Sequence, residues 1–345
     1  MPQERYLDWA TKHTQTTWWH DSADPEELRL GLERGAIGVT TNPMLNYIAL
    51  SQNQTHWSEQ IQDVLAQNLE PAHKAEALVR IVVTETAQKL LPIYEKTVGQ
   101  TGYVCAQVNP GRPGDRDTMM SLAERFTKWA PNIAVKLPAT AAGLDVLEEC
   151  AARAITTTAT VSFTVPQVIA VAERYRKGIQ RAKKNELKPA HCFAVIMIGR
   201  LDDHLRDVAQ DMQADISEAD IRQAGIAVTK RAYAICRDRQ YEVEMIVAAL
   251  RGTYHMTELA GAKVIMSIAP PYQDMLLSPD LPRRERIEAP VAEDVIARLS
   301  RIPDFVRAYD PQGMKPNDFI SYAVSQRTLA QFCESGWYRL EKFGK

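Results

Sequence analysis

Ile133-Ala134-Val135-Lys136-Leu137-Pro138-Ala139-Thr140 runs three apolar residues straight into a lysine, with Pro131 just ahead and Pro138 two residues beyond it. A short apolar run bounded by prolines reads as a buried strand. A lysine near the end of such a strand is unusual, because lysine is almost never fully buried unless paired. Two readings follow. Lys136 can snorkel, its stem packed and its ammonium wet. Alternatively it is desolvated with a depressed pKa, and such an amine attacks a carbonyl to form a Schiff base.

Working outward, runs of the same kind recur. Residues 17–21 read as a first strand ending in Asp21, 36–40 as a second between Gly35 and Asn42-Pro43, and 103–108 as a third closed by Asn109-Pro110-Gly111. Beyond the lysine strand come β-branched 155–161, apolar 192–198, then 243–249 and 262–268. Helical patterns separate nearly all of them, at 26–34, 43–68, 72–97, 115–129, 140–153, 165–184 and 217–236. Asp24-Pro25 and Ser217 with Asp220 supply helix starts. The strands are apolar throughout rather than alternating, as in a parallel sheet covered on both faces. Eight such units in about 250 residues predict an α/β fold, a (β/α)8 TIM barrel over residues 1–275. Residues 276–345 predict a helical extension packed on it, with helices at about 290–300 and 316–335. A doubly wound open sheet is the alternative, but no G-x-G-x-x-G follows any strand.

Composition narrows the class. The chain has 345 residues, 45% hydrophobic and 24% charged, as in an ordinary globular protein. Its formal net charge of −2 supplies no basic field for nucleic acid. No run of eighteen apolar residues suggests a membrane span, and the N-terminus has no apolar signal core. Five scattered cysteines without a C-x-x-C pair read as reduced thiols in a cytoplasmic protein. The seven histidines lack metal-ligand spacing. The basic cluster ending in Arg181-Ala182-Lys183-Lys184 reads as a solvated helix face. A homodimer stays open.

In a barrel of this kind the active site is built at the C-terminal ends of the strands. The polar residues there are Asp21, Thr40, Asn42, Gln107, Asn109, Lys136, Thr158, Thr160, Arg200, Arg251 and Ser267. Each has an ordinary reading: Asp21 as a helix cap, Arg200 and Arg251 as surface residues. Together, one lysine, one carboxylate, several neutral hydrogen-bonding groups and two guanidiniums describe a Schiff-base site with a distal anion clamp.

The sequence also resembles a family. Gly35-Ala36-Ile37-Gly38-Val39-Thr40-Thr41-Asn42-Pro43-Met44-Leu45 is similar to a G-A-x-x-x-T-T-N-P-S/T-L signature of the transaldolases. Residues 135–167 resemble that family's lysine strand and the strand after it. Ile198-Gly199-Arg200-Leu201-Asp202-Asp203-His204 is similar to V-G-R-I-x-D, and Lys263–Leu276 to the last strand. The resemblance covers residues 17–278. It implies a class I aldolase on a TIM barrel, using no metal or cofactor and acting on sugar phosphates. It implies that Lys136 is the Schiff-base lysine and Asp21 the acid–base group at the hydroxyl beside the breaking carbon–carbon bond. Asn42 would hydrogen-bond the substrate, Thr160 would position a catalytic water, and Arg200 and Arg251 would grip phosphate. Thr40, Thr158 and Ser267 are further substrate-binding candidates by their place at strand ends.

The departures bear on which reaction is run. Gln107 stands where transaldolases carry a glutamate, and glutamine neither takes up nor gives a proton at neutral pH. Glutamine there is similar to the fructose-6-phosphate aldolase branch. Thr158 replaces an asparagine, Val195 and Ala249 replace serines, and Met197 replaces an aromatic residue. The readings are therefore transfer of a dihydroxyacetone unit, its release to water, or a barrel that binds sugar phosphates without chemistry. The aromatic set Phe319, Tyr322 and Phe332 suggests a tail helix that either covers the barrel mouth or packs on its wall.

Overall fold

The computed structural model describes residues 4–344; the outermost residues of the two expected units, 1–3 and 345, lie outside it. Among the described residues, seven parallel strands form one sheet: β1 (Thr17–His20), β2 (Val104–Gln107), β3 (Ile133–Pro138), β4 (Thr157–Thr160), β5 (Cys192–Met197), β6 (Glu244–Ala248) and β7 (Val264–Ile268). Their order is β1-β7-β6-β5-β4-β3-β2, all pairs parallel. This is the expected α/β barrel with one correction, because residues 36–40 do not form an eighth regular strand. Val39 alone bridges, to His20 on one side and Val104 on the other. Ile37 and Thr40 donate to the carbonyls of Trp18 and His20, at 3.1 and 2.9 Å, and Val39 donates to Tyr103 at 2.9 Å. These bonds complete the ring at its eighth position.

The reason is local. Gly35 sits at φ 95, and Asn42-Pro43 already opens the next helix, so few residues are left for a ladder. Gly38 faces inward, and a Cβ there would overlap the Trp19 indole. That indole is 1% exposed and meets Phe193 edge-on, with centroids 4.8 Å apart. It fills the barrel centre that a neighbouring side chain would otherwise share.

Register fixes what faces the mouth. In a parallel pair, residues in register share a face of the sheet. Gln107 pairs with Lys136, Lys136 with Thr158, and Trp19 with Ser267. These side chains therefore all point into the barrel. The helices forecast at 72–97, 140–153, 165–184 and 217–236 appear as Pro71–Lys96, Ala141–Ala152, Val165–Lys184 and Glu218–Asp238. Helix Tyr6–His13 was not anticipated; it buries Tyr6, Leu7 and Ala10 against β1 and helix Pro270–Leu276. Among the described residues, no helix is long and apolar enough to cross a membrane.

After β7 the chain forms helices Glu293–Leu299, Pro303–Tyr309 and Ala323–Phe332, then a π-helical turn Cys333–Trp337 and a last helix Tyr338–Glu341. Their apolar residues join the same core as the barrel. Phe319 and Tyr322 are buried inside this segment, and the Tyr322 hydroxyl donates to the Asp304 carbonyl at 2.9 Å. The π-helical turn lies on helix Pro43–Gln52, with Gly336 against Pro43 and Met44. It thereby delivers Phe332 to the barrel mouth.

Candidate active site

At the C-terminal ends of the strands lies a cavity of about 200 Å³, walled by Asp21, Asn42, Lys136, Thr160, Arg200 and Arg251, with Thr40 and Ser267 beneath. Larger hollows, of about 1190, 720, 550 and 410 Å³, lie elsewhere and hold neither Lys136 nor Asp21. Their linings bring no such set of groups together.

Lys136 is 6% exposed, and its ammonium donates to the Thr41 carbonyl at 2.9 Å. The snorkelling reading is not what the fold produces, because the amine ends inside the barrel. Thr41 is itself fixed, its hydroxyl donating to the Cys105 carbonyl at 2.7 Å. Asp21 follows β1 directly and is tied to β7 through its N–H and the Ile268 carbonyl. Its carboxylate accepts from the Thr40 hydroxyl at 2.7 Å, and Thr40 meets the Ser267 hydroxyl at 2.6 Å. Burial raises the Asp21 pKa; the Thr40 bond and the charges of Lys136 and Arg200 pull the other way without cancelling it. A carboxylate held above its usual range is suited to passing a proton near neutral pH.

Asn42 does double duty. Its Oδ1 caps helix Pro43–Gln52 by accepting from the Met44 and Leu45 N–H groups, at 2.9 and 3.1 Å. Only its amide hydrogens are left for a ligand. Thr160 lines the cavity, and its hydroxyl has only the Met197 sulfur as a protein partner, at 3.9 Å. The residue after it, Val161, has φ 53, a costly conformation for a β-branched side chain. Gln167, buried and unremarked in the sequence, secures this bend: its Nε2 donates to the Val161 carbonyl at 2.9 Å. Ala249, after β6, is bent the same way at φ 59.

Gln107 and Thr158 do not line the cavity. They flank Lys136 in the barrel wall, one strand to either side. Thr158 is fully buried and contacts the Cys105 sulfur at 3.4 Å. Gln107 is 3% exposed and its Oε1 has no hydrogen-bond partner.

The two arginines mark the distal end. Arg200 lies in the first turn of helix Ile198–Asp211, whose N-terminal end has no side-chain cap and carries partial positive charge. Its Nη1 donates to Gln331 Oε1 at 2.6 Å, its Nε has no partner, and its guanidinium lies over the Phe332 ring. Burial, followed by the charge of Arg251, lowers its pKa to about 10, so it stays protonated at neutral pH. Arg251 is more exposed. Its Nε and Nη2 both bind Asp203 Oδ2, at 2.8 and 2.7 Å, and its Nη1 donates to the Ala249 and Leu250 carbonyls. Val195, Met197, Ala248, Leu250 and Phe332 make the rest of this end apolar. Gln331, Phe332 and Asp203 were not identified as site residues from sequence. Phe332 carried a signal as part of an aromatic set, and Asp203 as the acid three residues after Arg200.

Among the described residues no group of three or more His, Cys, Asp or Glu side chains is placed to hold a metal ion. All five cysteines are buried and unpaired.

The family model described as transaldolase/fructose-6-phosphate aldolase matches residues 18–335. The chain is 25% identical over 328 residues to a transaldolase of Thiobacillus denitrificans, covering 90% of each. It is 28% identical over 230 residues to a transaldolase of Mycolicibacterium smegmatis and over 235 residues to one of Mycobacterium tuberculosis. These alignments cover 63% and 64% of this chain, and it spans 61% of the length of each of those two relatives.

Proposed function

The chain belongs to the transaldolase/fructose-6-phosphate aldolase family, and from that premise we propose that it is a class I aldolase that moves a dihydroxyacetone unit between sugar phosphates through an imine on Lys136. The carrying observation is that the buried Lys136 amine and the Asp21 carboxylate wall the same small cavity at the strand ends. The barrel through residue 275 is the catalytic unit, and the helical extension after it packs on the barrel and brings Phe332 to its mouth.

In this reading the Lys136 ammonium gives up a proton to water, the amine adds to the ketose carbonyl, and loss of water gives the imine. The protonated imine accepts the electron pair of the adjacent carbon–carbon bond as it breaks. Asp21 takes the proton of the hydroxyl beside that bond, so the aldehyde fragment leaves. The enamine left on Lys136 then adds to a second aldehyde, and Asp21 returns the proton. Hydrolysis of the new imine frees the product, with Thr160 holding the water. Asn42 donates its amide hydrogens to the sugar, and Arg200 with Arg251 faces the distal phosphate. Unpaired, buried cysteines suit a reducing, cytoplasmic setting.

The test is borohydride trapping. A protein incubated with fructose 6-phosphate and reduced should gain one three-carbon adduct, mapped to Lys136. Absence of an adduct with any ketose would replace this reading by a barrel that binds sugar phosphates without chemistry.

A second reading, release of the three-carbon unit to water, is favoured by Gln107. A glutamine beside Lys136 has no proton to exchange, and its buried Oε1 is unpartnered. Gln107→Glu is expected to raise the ratio of transferred to released dihydroxyacetone by about a hundredfold, the low end of what a positioned proton-transfer group contributes. With fructose 6-phosphate and erythrose 4-phosphate as substrates, an unchanged ratio would show that Gln107 does not govern the outcome.

A further inference from the structure

Arg251 is braced from two directions, and only one of them is visible from the cavity. On the outer side Asp203 grips the guanidinium. On the inner side the Arg251 backbone N–H donates to His255 Nδ1 at 3.2 Å. That bond settles the tautomer: Nδ1 accepts, so the proton sits on Nε2. His255 Nε2 in turn lies 2.8 Å from Asp202 Oδ2, and both side chains are 0% exposed. The other Asp202 oxygen accepts from the Gly225 N–H at 2.8 Å. Gly225 has no Cβ to spare, since one would press on Ile198 and on Asp202 itself.

Asp202 is two residues after Arg200 on helix Ile198–Asp211, and His255 lies in the short helix Thr253–Thr257, four residues after Arg251. The link therefore ties the Arg251 backbone to the helix that carries Arg200. We propose that Asp202 and His255 are positioning residues that hold Arg251 at the correct separation from Arg200 for the distal anionic group of the substrate. This rests on the reading of the site given above, and it assigns no contact with substrate to either residue.

The pair has no comparable role in the chemistry at Lys136, which lies on the other side of the cavity. A defect in it should therefore appear in the binding of a phosphorylated donor and not in imine formation with a donor that lacks phosphate. Two isosteric variants separate the two hydrogen bonds. In His255→Gln the side-chain amide reaches Asp202, but the bond to Arg251 is lost. In His255→Asn the side-chain oxygen takes the place of Nδ1 and keeps the Arg251 bond.

The experiment measures borohydride trapping on the full chain with fructose 6-phosphate and, separately, with dihydroxyacetone. His255→Gln is expected to raise the concentration of fructose 6-phosphate needed for half-maximal trapping by about tenfold, as for a misplaced positioning group, with the dihydroxyacetone response within twofold of the native protein. His255→Asn, which keeps the Arg251 bond but cuts the tie to Asp202, is expected to show the same selective loss with fructose 6-phosphate. Equal effects of His255→Gln on the two donors, or none on either, would overturn the inference. No adduct in the native protein with either donor would instead overturn the proposed function. Should the variants fail to fold, the native protein decides the matter through the 15N resonances of His255. A proton on Nε2 alone, with an Nδ1 resonance that moves on titration with inorganic phosphate, is the expected result. A proton on Nδ1, or an Nδ1 resonance indifferent to phosphate, would overturn the inference.

Discussion

Asp21→Asn is expected to lower turnover by about a hundred- to ten-thousandfold, the range that general acid–base groups supply, while Lys136 still forms a trappable imine. Asparagine keeps the shape of aspartate and can still accept from the Thr40 hydroxyl that holds Asp21 at 2.7 Å. It cannot take a proton from the hydroxyl beside the scissile bond. The two steps should therefore come apart: an adduct accumulates on Lys136, but neither aldehyde release nor transfer follows. Loss of trapping as well would place Asp21 in imine formation instead.

The same substitution carries a stability prediction whose sign comes from the shifted pKa. Burial raises the Asp21 pKa above its ordinary value of 3.8. A carboxyl raised in the folded state favours folding while protonated, and that contribution is lost as pH rises through the folded pKa. Above that pKa the native protein holds a partly desolvated charge that asparagine does not have. Asp21→Asn should therefore be the more stable protein at pH 8, by urea unfolding, with the gap narrowing as the pH falls toward 4. A variant less stable at pH 8 would mean that attraction to Lys136 and Arg200 outweighs desolvation.

How much of this was legible in the sequence depended on whether one element decided a residue's place. Lys136 could be placed because a short apolar run between prolines forces a buried strand, and register then sends its side chain inward. Residues 36–40 could not be read correctly for the opposite reason. Their β-branched residues signal a strand, but the width of Trp19 and the close Asn42-Pro43 helix start limit pairing to Val39. The aromatic set Phe319, Tyr322 and Phe332 looked like one stripe, yet only Phe332 reaches the cavity. The π-helical turn after it redirects the chain, and no local pattern announces that. Thr158 and Gln107 were placed at the right strand ends and lie in register with Lys136, but their shorter side chains do not reach the cavity, and strand periodicity does not encode reach. Gln331 meets Arg200 across 131 residues of sequence, and Asp202 meets His255 across 53. Contacts so distant are set by the fold, and no motif spacing carries them.

Lys136→Met is expected to abolish adduct formation entirely, since no other amine lines the cavity. Its effect on stability is the sharper test of what Lys136 is for. A lysine kept for structure would pair with a carboxylate, and removing one partner of a buried ion pair costs about 3–5 kcal/mol. Among the described residues, the hydrogen-bond acceptor given to Lys136 is the Thr41 carbonyl, a weak recompense for a desolvated ammonium. Methionine nearly matches the stem and carries no charge, so the folded state loses one carbonyl contact and sheds the desolvation cost. Asp21 loses a neighbouring positive charge, and its pKa should rise further, so that it carries its charge over less of the pH range. The two losses are coupled, and the protonated carboxyl adds no buried charge. The midpoint of thermal unfolding at pH 7 should therefore be unchanged or higher, the pattern of a site that trades stability for chemistry. A fall of several degrees would make Lys136 a structural partner of Asp21, and the amine would then be buried for the fold instead of for a carbonyl substrate.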